Sequence, residues 1–284
     1  MQKCDLYRHW EKFCQKIAEN ELEIHNPSVV KYLVYKSKCI EFPVKVKISD
    51  EIYKRKEYLT VIKDIKNSLE RGRGLSMYLS KRAKKLKSDG MFNDFGILHL
   101  HLNKMIGNNI IDIAKDSGTT LQVYYHKGVV YVFNFGRHGK GAYTNINDVQ
   151  KLYDVFPNSL KSRILNLKEK RSSNLNNISS EDRYKLRQLN ISTTTEIKDV
   201  NSFAISLAPA MFDSLKDDNL TAFKLQNNLN ESFIKLQNFL YKRGHTNVKL
   251  SFDLNTKDLK IVNPRNNSLI YSINNDDLIN ELIY

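Results

Sequence analysis

Over the first twenty residues, apolar side chains recur at helical spacing. Leu6, Trp10, Phe13, Cys14 and Ile17 fall on one face, and the pattern stops before Asn26 and Pro27. This predicts an amphipathic helix over residues 5–20. An alternating stretch follows at residues 40–48. Ser49 or Asp50 can then cap a helix whose apolar positions Tyr58, Ile62, Ile65 and Leu69 keep helical spacing. Arg71, Gly72, Arg73 and Gly74 break it, and residues 75–86 predict a second helix ending near Gly90.

The period then changes from helical to alternating. In residues 97–102, Leu98, Leu100 and Leu102 share one face of a strand and His99 and His101 the other, so the leucines are expected to face the core and the histidines to look away from it. Residues 121–126 and 129–135, rich in Val, Tyr and Phe and separated by Lys127 and Gly128, predict a hairpin. A loop with Gly136, Arg137, His138, Gly139, Lys140 and Gly141 comes next, then a helix around residues 147–156 that ends at Pro157.

Residues 166–194 are polar and predict a linker or long excursion. Beyond it, Ala222, Leu225, Leu229, Phe233, Leu236, Phe239 and Leu240 mark a long amphipathic helix stopped by Gly244. Three short strands, at residues 248–254, 259–262 and 269–273, and a last helix at 276–283 complete the chain. The expected fold is α+β: N-terminal helices with a twisted antiparallel sheet in a basic domain at residues 1–165, then a smaller helix-plus-meander domain at 195–284. Dimerisation, targeting or control is the role expected of the smaller domain.

Composition narrows the function classes. With 41% hydrophobic residues in 284 the chain can bury a core. It has no apolar run of the roughly 18 residues needed to span a membrane. Met1 to Asp5 lead into a polar, charged segment rather than a signal peptide, so a cytoplasmic location is expected. Cys4, Cys14 and Cys39 are odd in number and widely spaced, which points to structural thiols rather than disulfides or a thiolate zinc site.

The net charge of +14 is unevenly spread: residues 195–284 hold 10 basic and 11 acidic side chains, near −1, leaving +15 for residues 1–194. Arg71, Arg73, Lys81, Arg82, Lys84, Lys85 and Lys87 form a run without an acid, and Lys161, Arg163, Lys168, Lys170 and Arg171 a second group. Such concentrations suit phosphate contacts with counterion release, and the first run together with Lys140 is the expected RNA-binding set. The plain alternative is a solvated lysine-rich surface.

Two imidazoles on one strand face lie about 6 to 7 Å apart, near enough to act on one phosphodiester. His99, His101 and His138 are the candidate acid–base residues. One takes the proton of a ribose 2′-OH, another supplies the leaving 5′-oxygen, and Arg137 or Lys140 stabilises phosphorane charge. The alternatives are polar residues on a half-exposed sheet face, or a zinc site of three histidines aided by Asp94 or Asp112. No denser carboxylate cluster or thiolate pair supports a metal, so no cofactor is expected.

The basic segment Lys84 to Gly90, the strand Gly96 to Leu102, the hairpin over residues 121–135 and the loop Arg137 to Lys140 together resemble the RelE/HigB group of ribonuclease toxins over about residues 55–145. The resemblance implies a helical pair before a twisted antiparallel sheet, metal-independent RNA cleavage, action on ribosomes and an antitoxin partner. Histidines stand where that family has Glu and Arg in its signature strand, and residues 104–120 form an insertion. The histidine strand followed by a His-Gly loop is also similar to proteins of bacterial mobile islands, which implies phage defence.

The sequence is thus read as an RNA-cleaving toxin or defence effector, an endoribonuclease with RNA as partner, no membrane contact, and a homodimer as a further expectation. A non-catalytic nucleic-acid-binding regulator is the alternative, and a metal-dependent hydrolase of nucleic acid or nucleotides the second.

Overall fold

The structure, a computed structural model, describes residues 5–87, 89–138, 147–161, 164–166, 179, 181–182, 185–186, 194–197, 202–205, 220–245 and 248–283. In chain order its helices are α1 (Asp5–Leu22), α2 (Val29–Cys39), α3 (Asp50–Tyr53), α4 (Leu59–Glu70), α5 (Lys81–Lys84), α6 (Gly90–Phe95), α7 (Asn147–Val155), α8 (Pro157–Leu160), α9 (Leu220–Lys242) and α10 (Asn275–Ile283). The strands are β1 (Lys45–Ile48), β2 (Ile97–His101), β3 (Asn103–Ile106), β4 (Asn109–Asp112), β5 (Thr119–His126), β6 (Val129–Arg137), β7 (Ile164–Asn166), β8 (Thr194–Ile197), β9 (Ser202–Ile205), β10 (Lys249–Asp253), β11 (Asp258–Val262) and β12 (Leu269–Asn274). The architecture is α+β. Among the described residues no helix is long and apolar enough to cross a membrane.

Two compact units divide the chain, and not at the expected linker: residues 1–37 group with 221–284, and residues 38–220 form the other unit. In the first, α1 supplies core to the C-terminal elements. Phe13 stacks on Phe252 at 4.3 Å between ring centroids, Trp10 and Tyr7 close on Phe233, and the Trp10 indole N–H donates to Asn275 Oδ1 over 2.8 Å. Buried Lys36 sits between Glu21 (3.8 Å) and Asp276 (3.4 Å). The C-terminal meander and helices form as expected; β10, β11 and β12 pair in order and antiparallel. What the apolar spacing of α1 did not say is which sheet it covers.

The expected start of the second domain at residue 195 also changes. β8 and β7 both pair with β9, so strands on either side of residues 167–193 share one sheet. Ile197 of β8 is buried in the core of the 38–220 unit. Most of the expected linker lies outside the described residues.

The main sheet of this unit runs β1-β6-β5-β2, with β2, β5 and β6 antiparallel and β1 parallel to β6. The expected antiparallel sheet is therefore mixed, because the whole of α3 through β5 forms the crossover that a parallel pair requires. β1 is seated by α4, with Val44 N–H donating to Leu69 O at 3.2 Å. Gly72, at φ 68, ends α4 where a side chain would collide with Pro43.

Residues 75–86 do not make one helix. A 3-10 turn at Ser76–Tyr78 precedes α5, where Ser80 Oγ accepts from Ala83 N–H at 3.1 Å. Leu75, Tyr78, Leu79 and Ala83 are all buried, and their spacing is met by a bend before a capped turn.

Both faces of β2 are covered. Leu98 and Leu100 point to one side, as expected; on the other, Ile97 joins Tyr124 and Phe133 beneath Met91 and Phe95 of α6, Val149 and Leu152 of α7 and Leu160 of α8. A register shift between Gln122 and Val123 makes Phe133 an extra residue on β6. The bulge turns Phe133 and Asn134 to the same side of the sheet, one into the core and the other beside Gln122.

Candidate active site

The histidine-bearing face changes character along β2. At Ile97 it is apolar. One row on, the cross-strand register His99↔Gln122 and Gln122↔Asn134 makes a polar row, and the next row is His101↔Thr120 and Thr120↔Gly136. Helix α7 sets Asp148 over the first of these rows.

His99 does not look away from the core: it is 8% exposed. The helices that cover Ile97 also cover this position, and strand alternation alone carried no sign of them. Gln122 Nε2 stands 3.3 Å from His99 Nε2 and donates to Asp148 Oδ2 at 2.5 Å, while Gln122 Oε1 accepts from Asn134 Nδ2 at 2.9 Å. The amide nitrogen can only donate, so His99 Nε2 is an acceptor and the ring proton sits on Nδ1. Burial lowers the pKa of His99, against the pull of Asp89 and with a smaller push from His138. Burial also pushes Asp148 up to about 6, although Gln122 and Asn134 donate to it. Gly136 leaves room for this network, since a β-carbon there would lie 2.8 Å from Gln122 Nε2 and 3.0 Å from Thr120 Oγ1.

His101 lies at the end of β2, half-buried, and its Nδ1 is 2.8 Å from Asp112 Oδ2. Asp112 is the last residue of β4, and the antiparallel β3–β4 hairpin formed by the insertion returns it opposite Asn103. The hairpin root is pinned further by Ile113 N–H donating to Leu102 O (3.1 Å) and Ala114 N–H to Asp112 Oδ1 (3.0 Å).

The imidazole brought to His101 is that of His138, with ring centroids 4.7 Å apart and planes inclined by 37°. His138 follows β6 and is held by its N–H donating to Gly118 O at 2.8 Å. Partial burial of its ring lowers its pKa, and the neighbouring His101 pushes the same way, against Asp112. His101 and His138 thus form the close imidazole pair, while His99, two residues away on the same face of β2, is buried. His101 Nε2 and Thr120 Oγ1 are buried atoms without a hydrogen-bond partner among the described residues.

Arg137 is exposed at the end of β6, next to His138. Lys140 lies outside the described residues, as does the side chain of Asp94. Arg71, Arg73, Lys81, Arg82, Lys84, Lys85 and Lys87 are all exposed. The 3-10 turn just before α5 is tied to the start of β3, because Asn103 Nδ2 donates to Met77 O at 2.6 Å. Of the second basic group only Lys161 is described, and it is exposed.

Among the described residues no group of three or more His, Cys, Asp and Glu is arranged to hold a metal ion. Cys14 and Cys39 are buried thiols outside any disulfide among the described residues, and burial raises the Cys14 thiol above its usual range. Gln122, Asn134 and Asp148 were not singled out from sequence. The polar alternation of Thr120 and Gln122 on β5 was a usable signal; nothing local marks Asp148. No family model, curated protein or solved structure matches the chain.

Proposed function

We propose that this chain is an RNA-cleaving toxin or phage-defence effector, working by metal-independent acid–base chemistry of His138 and His101. The observation that carries this reading is the pair of imidazoles 4.7 Å apart with a carboxylate on Nδ1 of one of them. Asp112 holds His101 Nδ1 as the donor, which assigns the proton exchange to Nε2; that atom is buried and without a partner among the described residues, so substrate must displace what covers it before the proton moves. His138, its pKa lowered, is neutral near pH 7 and suited to be the base.

In the reaction so assigned, His138 removes the proton from a ribose 2′-OH and the 2′-oxygen attacks the adjacent phosphorus. The bond from phosphorus to the 5′-oxygen then breaks, and protonated His101 supplies the proton that oxygen takes. The products are a 2′,3′-cyclic phosphate and a 5′-hydroxyl. Arg137 is the cation nearest in sequence to the base and suits the phosphorane charge. His99 is a positioning residue beneath the pair, and the exposed cations of residues 71–87 suit phosphates along the strand.

Purified protein incubated with total RNA in chelator tests this. Cleavage that resists chelator and disappears in both His101→Ala and His138→Ala is the expected result. Cleavage lost to chelator moves the chain to metal-dependent hydrolysis. Binding without cleavage would favour a nucleic-acid-binding regulator, a reading supported by the seven exposed cations, none of them in an ion pair among the described residues.

A further inference from the structure

The β3–β4 hairpin has the wrong surface for an element left in water. Met105, Ile106, Ile110, Ile111 and Ile113 are 40% to 53% exposed, five large apolar side chains within nine residues. They do not share a face. Met105 pairs with Ile110 on one side, while Ile106 and Ile111 project from the other, opposite Asn109 and Lys104. Both sides of a two-stranded ribbon therefore offer apolar area, and such a ribbon has little stability of its own.

Its position limits what can cover it. Asp112, which holds His101, belongs to the hairpin, so the apolar side chains begin directly at the histidine pair. On the hairpin and its flank Lys104 and Lys115 are balanced by Asp112 and Asp116, so the positive charge comes from the segment to which Asn103 ties the hairpin root, the one leading into Lys81, Arg82, Lys84 and Lys85. A partner that presents apolar surface and dense negative charge together is unpaired nucleic acid, whose base faces are apolar and whose backbone is anionic. The tip residues Gly107, Asn108 and Asn109 add an open backbone and two amides able to meet base edges.

We propose that the β3–β4 hairpin is a base-contacting ribbon that selects single-stranded RNA, packing Met105, Ile106, Ile110 and Ile111 against unstacked bases beside the scissile phosphate. This rests on RNA being the substrate, and it supplies the reason for cleavage in unpaired regions. Bases of a duplex are stacked on one another and have no face to give the ribbon. In-line attack by the 2′-oxygen also needs a backbone that can rotate, which an unpaired strand allows.

The test uses the intact protein and a 2′-O-methyl oligonucleotide carrying 2-aminopurine, which has no 2′-OH to react, as a single strand and as a duplex at one salt concentration. Wild type should bind the single strand about tenfold more tightly, with a change in 2-aminopurine fluorescence. Met105→Ser/Ile110→Ser and Ile106→Ser/Ile111→Ser should each lose most of that preference while keeping the salt slope. Ile110→Trp should instead gain affinity for the single strand by stacking, a result that loss of folding cannot imitate. Equal affinity of wild type for the two forms overturns the proposal, as do serine variants that keep the preference. Sedimentation showing that wild type self-associates and the serine variants do not, with RNA affinity unchanged, overturns it in favour of a second copy. Chelator-resistant cleavage without single-strand preference removes the base contact and leaves the nuclease reading; preference without cleavage does the reverse.

Discussion

His101 Nδ1 and Asp112 Oδ2 are 2.8 Å apart across the root of the β3–β4 hairpin, His101 closing the strand before it and Asp112 closing its second strand. The carboxylate reaches the ring only when β3 and β4 are paired, so the hairpin's folding and the orientation of His101 are one event. Asp112→Asn keeps the acceptor for Ala114 N–H but removes the charge and presents an amide to the ring. Cleavage should fall by about 10²-fold, the low end for disabling a positioned acid or base, with the circular dichroism spectrum unchanged. A variant as active as wild type would remove Asp112 from the mechanism.

The three histidines should separate by stability. His99 is buried within a hydrogen-bonded row, so His99→Ala leaves Gln122 short of an acceptor and should cost about 1 to 3 kcal/mol in urea unfolding. His138 is exposed, and His138→Ala should stay within about 0.5 kcal/mol. Leu100→Ala, on the opposite face and fully buried, should lose about 2 to 5 kcal/mol. A His138→Ala penalty as large as that of Leu100→Ala would mean that the His138 ring is a packing element.

Asp148 gives a pH signature. Its folded-state carboxyl is raised from 3.8 to about 6, so the unfolded chain ionises it more readily. Its stabilising contribution is complete below about pH 4 and is lost as pH rises through about 6. Relative to Asp148→Asn, wild type should therefore gain on the order of 2 to 3 kcal/mol between pH 7.5 and pH 4. His99 and His138 work in the opposite sense: their lowered pKa values give stability that is lost as pH falls below 6.5. They are present in both proteins and cancel in the difference, which chemical denaturation across pH can read. A difference that does not vary with pH would show Asp148 to be unshifted.

The exposed run at α5 is testable through salt. Replacing Lys81, Arg82, Lys84 and Lys85 by Ala should flatten the log–log dependence of RNA affinity on salt by up to about four counterions. An unchanged slope assigns these lysines to plain solvation.

The division of the chain gives a folding prediction. Phe13 stacked on Phe252 and Trp10 bonded to Asn275 place N-terminal side chains in the core of the C-terminal unit. Residues 195–284 expressed alone should lack dispersed amide resonances, and a peptide of residues 1–37 added in trans should restore them. A well-folded fragment without the peptide would make α1 dispensable.

Periodicity in the sequence was enough to determine α1, the body of α4, α7 and α9, the α+β class, the β5–β6 hairpin and the three C-terminal strands; the helix expected to run on from a Ser49 or Asp50 cap is instead broken into α3, a 3-10 turn at Lys56–Tyr58 and α4, and Ser49 makes no side-chain cap. Each feature so determined is decided by apolar spacing and by turn or cap residues within a dozen positions, such as Gly244 closing α9 at φ 81. Charge and alternation likewise marked the residue types of the candidate site, His99, His101, His138 and the cations of 71–87. Everything that sorts those residues into roles depends on partners distant in sequence. Alternation on β2 shows that His99 and Leu98 point opposite ways, but only α6 and α7 lying over the sheet make the His99 side interior as well. The His101–His138 contact needs β5 between their strands and a backbone bond from His138 to Gly118; Asp148 enters from a helix with no local mark. The same reason joins α1 to β10 and β1 in parallel to β6. An amphipathic face or a strand edge states that it must be covered, and the energy of covering it is nearly the same for many partners, so the choice among them belongs to the packing of the whole chain.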